Sequence, residues 1–80
     1  MIDTILRLPA VKTNTGLSRS TIYLRIAQGE FPKPVSLGGR TVGWPASEVA
    51  TLNAARIAEK SNAEIRDLVE KLEAARKAVA

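Results

Sequence analysis

The fold is decided by the stretch Gly16-Leu-Ser-Arg-Ser-Thr-Ile-Tyr-Leu-Arg-Ile-Ala-Gln-Gly29, which has a turn signal at each end of a short amphipathic segment. Ser18 suits the N-cap of a helix, because its hydroxyl can accept a backbone N–H that the first turn leaves unpaired. Gly29 suits the position after the last turn, where a left-handed residue commonly ends a helix. Ile22 and Ile26 stand four residues apart and share one face. The stretch therefore predicts a short helix with one buried side.

The other side of this helix carries Arg19, Ser20 and Tyr23. Their short or planar hydrogen-bonding groups suit phosphates and base edges. A first helix over about residues 9–15, with Val11 toward the core, is predicted just before it. Such a tight connection between two short helices is typical of helix-turn-helix units. The sequence therefore predicts a recognition helix that binds double-stranded DNA.

A β-hairpin is predicted next along the chain. Apolar and β-branched residues at 35–37 and 41–44 flank the turn Gly38-Gly39-Arg40. An isolated hairpin is marginally stable, so we expect it to pack on the helices through Trp44. Arg40 lies at the tip, and we interpret the hairpin as a wing that reaches a neighbouring groove or phosphate. A solvated turn arginine is the alternative.

The remaining segments of the first 60 residues complete a small core. Residues 5–8 predict a short edge strand, and Phe31 is expected in the interior. Pro45 opens a third helix, in which Glu48 lies near the positive N-terminal end. The sequence thus predicts a mainly α fold with a small β-hairpin, a winged helix-turn-helix over residues 1–60, followed by a C-terminal helix over residues 61–80.

The C-terminal helix begins with a capping-box signal at Ser61 and Glu64. Its apolar residues follow the 3-4 spacing of a coiled coil over about two heptads: Ile65, Leu68, Leu72, Ala75 and Val79. We expect Ile65, Leu68 and Leu72 to support self-association, because a small chain has little other surface on which to bury this stripe. The alternatives are a helix folded back on its own domain and a frayed tail. A helix continuous from Ser47 through Ser61 is equally compatible with the sequence.

The positive charge is unevenly placed along the chain. Residues 1–44 hold six basic and two acidic residues, which gives +4, whereas residues 45–80 hold six of each. All the excess positive charge therefore lies in the half with the predicted recognition helix, as expected of a surface that meets nucleic acid. A generically soluble basic surface is the alternative.

The composition argues against several classes of protein. The chain has no cysteine and no histidine, which removes most nucleophile–base pairs and most zinc or iron sites. No Walker or dinucleotide-binding pattern is present. No apolar run approaches membrane-spanning length, and nothing resembles a signal peptide. We expect no enzymatic activity, no metal or cofactor and no membrane contact, and the lack of cysteine fits a reducing cytoplasm.

Four linked motifs stand in order along the chain: Gly16-Leu-Ser-Arg-Ser-Thr-Ile-Tyr23, Gly29-Glu-Phe-Pro-Lys-Pro-Val35, Leu37-Gly-Gly-Arg-Thr-Val-Gly-Trp44 and Ser47-Glu-Val49. In this order and spacing they resemble the AlpA-like regulators encoded by phages and other mobile elements, over roughly residues 5–55. The resemblance implies a winged helix-turn-helix of the kind shared with MerR-type regulators and excisionases. It also implies a DNA-associated protein of the bacterial cytoplasm.

The resemblance places DNA contacts on the recognition helix and on the wing: Ser18, Arg19, Ser20, Thr21 and Tyr23, then Arg40 and Thr41. The chain departs from the family pattern where Leu24 precedes Arg25, since the family usually has the basic residue first. We expect Arg25 to contact a phosphate instead of a base. Lys12 and Lys33 are also expected to make salt-dependent phosphate contacts.

Three functions remain open at this point. The resemblance implies a role in activating prophage or island genes or in steering an integrase toward excision. A transcription activator, which would contact RNA polymerase through the C-terminal helix or an exposed face of the domain, comes first. An excisionase would bind several adjacent sites beside an attachment site and bend the DNA for an integrase. A protein-interaction module acting through the C-terminal helix comes last, because it leaves the basic half without a role.

Overall fold

The computed structural model describes residues 3–77 and contains four helices and a small antiparallel sheet. In chain order the elements are β1 (Ile5–Leu6), α1 (Leu8–Thr15), α2 (Arg19–Ala27), β2 (Val35–Gly38), β3 (Thr41–Pro45), α3 (Ala46–Ile57) and α4 (Asn62–Arg76). This is the predicted mainly α, winged helix-turn-helix fold followed by a C-terminal helix.

Local signals set the boundaries of α1 and α2 as the sequence indicates. Gly16 ends α1 in a left-handed conformation with φ 72°, and its N–H donates to the Lys12 carbonyl at 2.8 Å. Ser18 is the N-cap of α2, and its hydroxyl accepts the Thr21 N–H at 3.3 Å. Gly29 has φ 76° directly after the C-cap Gln28. Local conformations at Gly16, Ser18 and Gly29 therefore fix where α1 ends and where α2 begins and ends.

The sheet has the order β1-β3-β2, so the predicted hairpin gains a third strand. Leu6 pairs with Trp44 in one ladder and Val35 with Gly43 in the other, and the register shifts between Ser36 and Gly38. Residues 5–8 were expected to form one strand, but only Ile5–Leu6 does so, because α1 already begins at Leu8. The edge position of β1 is confirmed.

The main core lies between the helix pair, the sheet and α3. It consists of five buried side chains: Val11, Ile22, Phe31, Trp44 and Val49. The indole N–H of Trp44 donates to the Pro32 carbonyl at 2.9 Å, and the Phe31 ring meets the Trp44 ring edge-on at 6.2 Å between centroids. The roles expected of Trp44 and Phe31 are thus confirmed, and the hairpin is anchored to the helices.

A second core joins α4 to α3, so that the apolar stripe folds back on its own domain, as one of the alternatives had it, while self-association stays a prediction. Ile65 is fully buried and packs with Leu52, Ala55 and Val69, and Leu68 and Leu72 pack partly buried against this cluster. The side chain of Ile65 is therefore not exposed for self-association. Packing of α4 against α3 is favoured because the apolar side chains of Leu52 and Ala55 would otherwise be exposed to water. The predicted contribution of Val79 lies outside the described residues.

The turn between α3 and α4 excludes one continuous helix from Ser47 through Ser61. α3 ends at Ile57, Glu59 takes a left-handed conformation with φ 57°, and α4 begins after the N-cap Ser61. The predicted capping box is present: the Ser61 hydroxyl accepts the Glu64 N–H at 3.2 Å, and the Glu64 carboxylate accepts the Ser61 N–H at 3.1 Å. These bonds and the electrostatic attraction of Lys60 lower the pKa of Glu64.

Ion pairs and hydrogen bonds hold α4 to the rest of the chain. Arg76 binds the buried carboxylate of Glu48 through two nitrogens, one of them Nε at 2.9 Å, and donates to the Lys33 carbonyl at 2.8 Å. Glu73 accepts the Lys33 N–H at 2.8 Å. Arg66 pairs with Glu30 at 3.0 Å. These three residues of α4 therefore hold the helix to residues 30–48.

Candidate nucleic-acid interface

The outer side of α2 carries the residues that sequence analysis selected. A helix rotates by about 100° per residue, so Ser20, Tyr23, Leu24 and Ala27 share the side opposite Ile22. All four are exposed, whereas Ile22 is fully buried in the main core. We refer to these four residues as the outer face of α2. It is a surface that the core leaves free along the length of the helix.

Arg19 extends this face by one position toward the start of the helix. Its guanidinium lies 5.8 Å from the centroid of the Tyr23 ring, within the range of a cation–π interaction. Both residues are exposed, with Tyr23 at 40 %. The ring thus restricts where the guanidinium can go, while its remaining N–H groups stay available for acceptors outside the protein. The structure thus brings together two of the residues predicted for the interface.

A cluster of hydroxyl groups lies at the start of α2. The Ser18 hydroxyl is 2.9 Å from that of Thr21 and 3.3 Å from that of Ser20, and it also accepts the Thr21 N–H. Ser18 and Thr21 therefore have a structural role in capping α2, in addition to the DNA contacts predicted for them. Because the cap fixes the first turn, it also fixes the position of Arg19, the next residue after Ser18.

The wing presents Arg40 at its tip, as predicted. Gly39 and Arg40 form the turn between β2 and β3, and Arg40 is exposed. Positive φ angles of 107° at Gly38 and 57° at Gly39 make this tight reversal accessible to the backbone. Thr41 follows at the start of β3 and is half-buried. Whether Arg40 and Thr41 meet DNA stays a prediction.

Arg25 and Lys33 lie away from the outer face of α2. Arg25 is half-buried and lines a groove of about 250 Å³ together with Glu30 and Arg56. Lys33 is exposed, but its backbone is bonded to α4 on both sides, to Glu73 and to Arg76. The structure therefore separates these two cations from the Arg19 and Tyr23 pair, and their phosphate contacts stay predictions.

Both carboxylates of the basic half are engaged elsewhere. Asp3 accepts the Ser47 N–H at 3.1 Å and the Ser47 hydroxyl, and thereby caps the start of α3. These hydrogen bonds lower the pKa of Asp3, the bond from the Ser47 hydroxyl most of all. Glu30 lies between Arg66 and Arg56. Neither carboxylate is part of the outer face of α2, which carries no acidic residue.

Residues 4–57 match the family described as prophage CP4-57 regulatory protein (AlpA). The chain belongs to the AlpA family. The matched range contains the helix pair, the sheet and α3, and it confirms the resemblance seen over roughly residues 5–55. Helix α4 lies beyond the matched range.

Two relatives of this AlpA family member are informative. It is 55% identical over 56 residues to "Uncharacterized protein ORF88" of Enterobacteria phage P4, which covers 70% of this chain and 64% of that protein. It is 43% identical over 51 residues to "DNA-binding transcriptional activator AlpA" of Escherichia coli (strain K12), which covers 56% of this chain and 73% of that protein. The chain thus spans less than two thirds of the phage P4 protein. No solved structure matches it.

Two other kinds of site were sought within residues 3–77. No group of three or more acidic, histidine or cysteine side chains lies together there as a metal ion would require. In the same part of the chain, every helix is too short or too polar to cross a membrane.

Sequence analysis missed three features that bear on the site. Leu24 was noted only as a departure from the family pattern, yet it is 57 % exposed in the middle of the outer face. Its spacing of four residues from Ser20 and three from Ala27 is a signal that could have revealed this. Glu48 pairs with Arg76, 28 positions away, and Glu30 pairs with Arg66, 36 positions away, so no local pattern predicts either contact.

Proposed function

We propose that this chain is a sequence-specific DNA-binding regulator of a phage or mobile element that activates transcription of excision or prophage genes. The single observation that carries the proposal is the exposed pair of Arg19 and Tyr23 on the outer face of α2. Membership of the AlpA family supports it, as does the printed name of the E. coli relative, a DNA-binding transcriptional activator.

In this proposal α2 enters the major groove and each exposed residue has a separate role. Arg19 donates two hydrogen bonds to O6 and N7 of a guanine, the contact for which a guanidinium is best shaped. Ser20 and Tyr23 contact base edges or phosphates. Arg40 and Thr41 on the wing contact the backbone of the neighbouring groove, where they add affinity but little sequence information.

The proposed regulator has no catalytic step. Its work is binding, so it needs no metal or cofactor, and it acts in the cytoplasm, where bacterial DNA is found. Lys12, Arg25 and Lys33 contribute through salt-dependent attraction to phosphates. Activation requires a further contact with RNA polymerase, for which α4 or an exposed face of the domain is available.

DNase footprinting tests the proposal on the element's own promoter and attachment-site DNA. The wild type is compared with Arg19→Ala and with Lys71→Ala, which removes one exposed cation from α4, far along the chain from α2. We expect discrete protection of one promoter, weakened in Arg19→Ala by about 1–3 kcal/mol and unchanged in Lys71→Ala. Equal weakening in both variants would mean that only overall charge matters, and no protected site would refute the proposal.

The same footprint separates the two mechanisms. A repeated array beside the attachment site, in place of a promoter site, would assign the chain to the excisionases, which act with an integrase. The protein-interaction module is the weaker hypothesis, because Ile65 is buried inside the chain and its side chain is not exposed to a partner. Self-association through Leu68 and Leu72 stays a prediction, and sedimentation equilibrium of the free protein tests it directly.

A further inference from the structure

Leu24 is an apolar side chain in the middle of an otherwise polar or small surface. It is 57 % exposed, whereas the other branched aliphatic residues of α2, Ile22 and Ile26, pack into the main core. Within residues 3–77 Leu24 belongs to neither of the two cores. Packing inside this chain therefore does not account for a leucine at this position.

We propose that Leu24 packs against the C5-methyl group of a thymine in the major groove and is thereby a specificity-determining residue. The proposal rests on the DNA-binding function proposed above and assigns to it one further contact. Leucine has no hydrogen-bonding group, so it can select a base only through apolar contact. The thymine methyl is the one apolar group among the base edges of the major groove.

The position of Leu24 on α2 fits this contact. From Ser20 to Ala27 the helix advances by about 10 Å at about 1.5 Å per residue, which matches about three base pairs at about 3.4 Å each. Leu24 lies midway along this length. Arg19 and Tyr23 precede it and supply the polar contacts. A leucine held there can reach the methyl groups of only one or two neighbouring bases.

A protein partner is a poorer occupant of this surface. A specific protein interface buries at least about 1,000 Å², and one leucine beside Ser20 and Ala27 supplies only a small part of that area. Tyr23, which is 40 % exposed, lies beside Leu24 on the outer face, whereas the other large exposed apolar residues within residues 3–77, Ile5, Leu37 and Ile57, belong to other elements. No acidic residue lies on the outer face of α2, and the exposed Arg19 beside it is a cation that can pair with DNA phosphates.

The test replaces the methyl group and the leucine separately. The wild type first selects its preferred site from random double-stranded DNA. Each thymine of that site is then changed singly to deoxyuridine, which removes the methyl and keeps every hydrogen-bonding group. Dissociation constants are measured by fluorescence anisotropy for the wild type, Leu24→Ala and Leu24→Met. Ile57→Ala, an equally apolar change at an 82 % exposed position on α3, is the control.

We expect one deoxyuridine to weaken binding of the wild type by about fourfold, the value of burying one methyl group. The same deoxyuridine should have no effect on Leu24→Ala, which already lacks the contact. Leu24→Met should retain most of the effect, because methionine keeps an apolar side chain of similar volume. Ile57→Ala should behave as the wild type. Melting temperatures should stay unchanged, since both leucine variants alter an exposed residue.

Two results would overturn the inference while leaving the proposed function intact. In one, the wild type binds a selected site but tolerates every deoxyuridine. In the other, Leu24→Ala suffers the same loss on deoxyuridine as the wild type, so that another residue reads the methyl. If the wild type selects no sequence at all, the proposed function fails and this inference fails with it.

Discussion

Replacing Ile65 by alanine tests how the chain uses its C-terminal helix. Ile65 is fully buried between Leu52, Ala55 and Val69. Truncating such a side chain costs about 2–5 kcal/mol, and we expect about 3 kcal/mol because a single surface helix can partly close the gap. That is a large part of the about 4–12 kcal/mol expected for a domain of this length. At about 4–8 °C per kcal/mol, the melting temperature should fall by about 12–24 °C.

Thermal unfolding followed by circular dichroism measures this change. The control is Ile57→Ala, which alters an aliphatic residue that is 82 % exposed and should shift stability by less than about 0.5 kcal/mol. Both variants are measured at two protein concentrations about 100-fold apart, because the stability of a self-associated form depends on concentration. If Ile65→Ala melts like Ile57→Ala, or if the loss in Ile65→Ala grows with protein concentration, α4 does not pack within one chain as described.

Three further predictions concern tertiary contacts. Arg76→Ala should lower the free energy of unfolding by about 3–5 kcal/mol, because it leaves the Glu48 carboxylate buried and unpaired. In urea unfolding, the double variant with Glu48→Gln should regain part of this loss. Strictly additive losses of the two single variants would contradict the pairing. Gly43→Ala should lower the free energy of unfolding by about 1–3 kcal/mol, because the Cβ of the new alanine would lie 2.5 Å from the Ile5 side chain. The double variant with Ile5→Ala should lose less stability than Gly43→Ala alone. The pKa of the Asp3 carboxyl is lowered, so its carboxylate stabilises the fold above the ordinary pKa of 3.8, and this stabilisation is lost as the pH falls through the lowered pKa. The melting temperature of Asp3→Asn should lack this loss on acidification. Equal acid sensitivity of the wild type and Asp3→Asn would refute the prediction.

The helix-turn-helix could be predicted closely because its boundaries depend on local chemistry. Ser18 and Gly29 act on backbone groups within one turn of themselves, so their effect is visible in a short stretch of sequence. Trp44 could be placed in the core because a small hairpin needs one large apolar anchor. The side of α2 that faces outward followed from the spacing of Ile22 and Ile26 alone.

The position of α4 could not be predicted in the same way. A 3-4 apolar stripe has the same spacing whether it meets another copy or the chain's own α3, so the stripe of Ile65 leaves its partner open. Leu52 and Ala55 need α4 to shield them from water, and this need is apparent only once the position of α3 in the packed domain is known. The pair of Glu48 and Arg76 is equally non-local, since each residue reads as an ordinary surface charge in sequence.

The second core determines where this chain can be shortened without exposing apolar side chains. The family match ends at residue 57, directly after Leu52 and Ala55, but the side chains that shield these two residues come from α4. A fragment that ends at residue 57 would keep α2 and the hairpin but would expose the apolar side chains of Leu52 and Ala55. The range that matches the family is thus shorter than the part of this chain that packs together, and a shortened chain should still include Arg76, whose guanidinium binds Glu48.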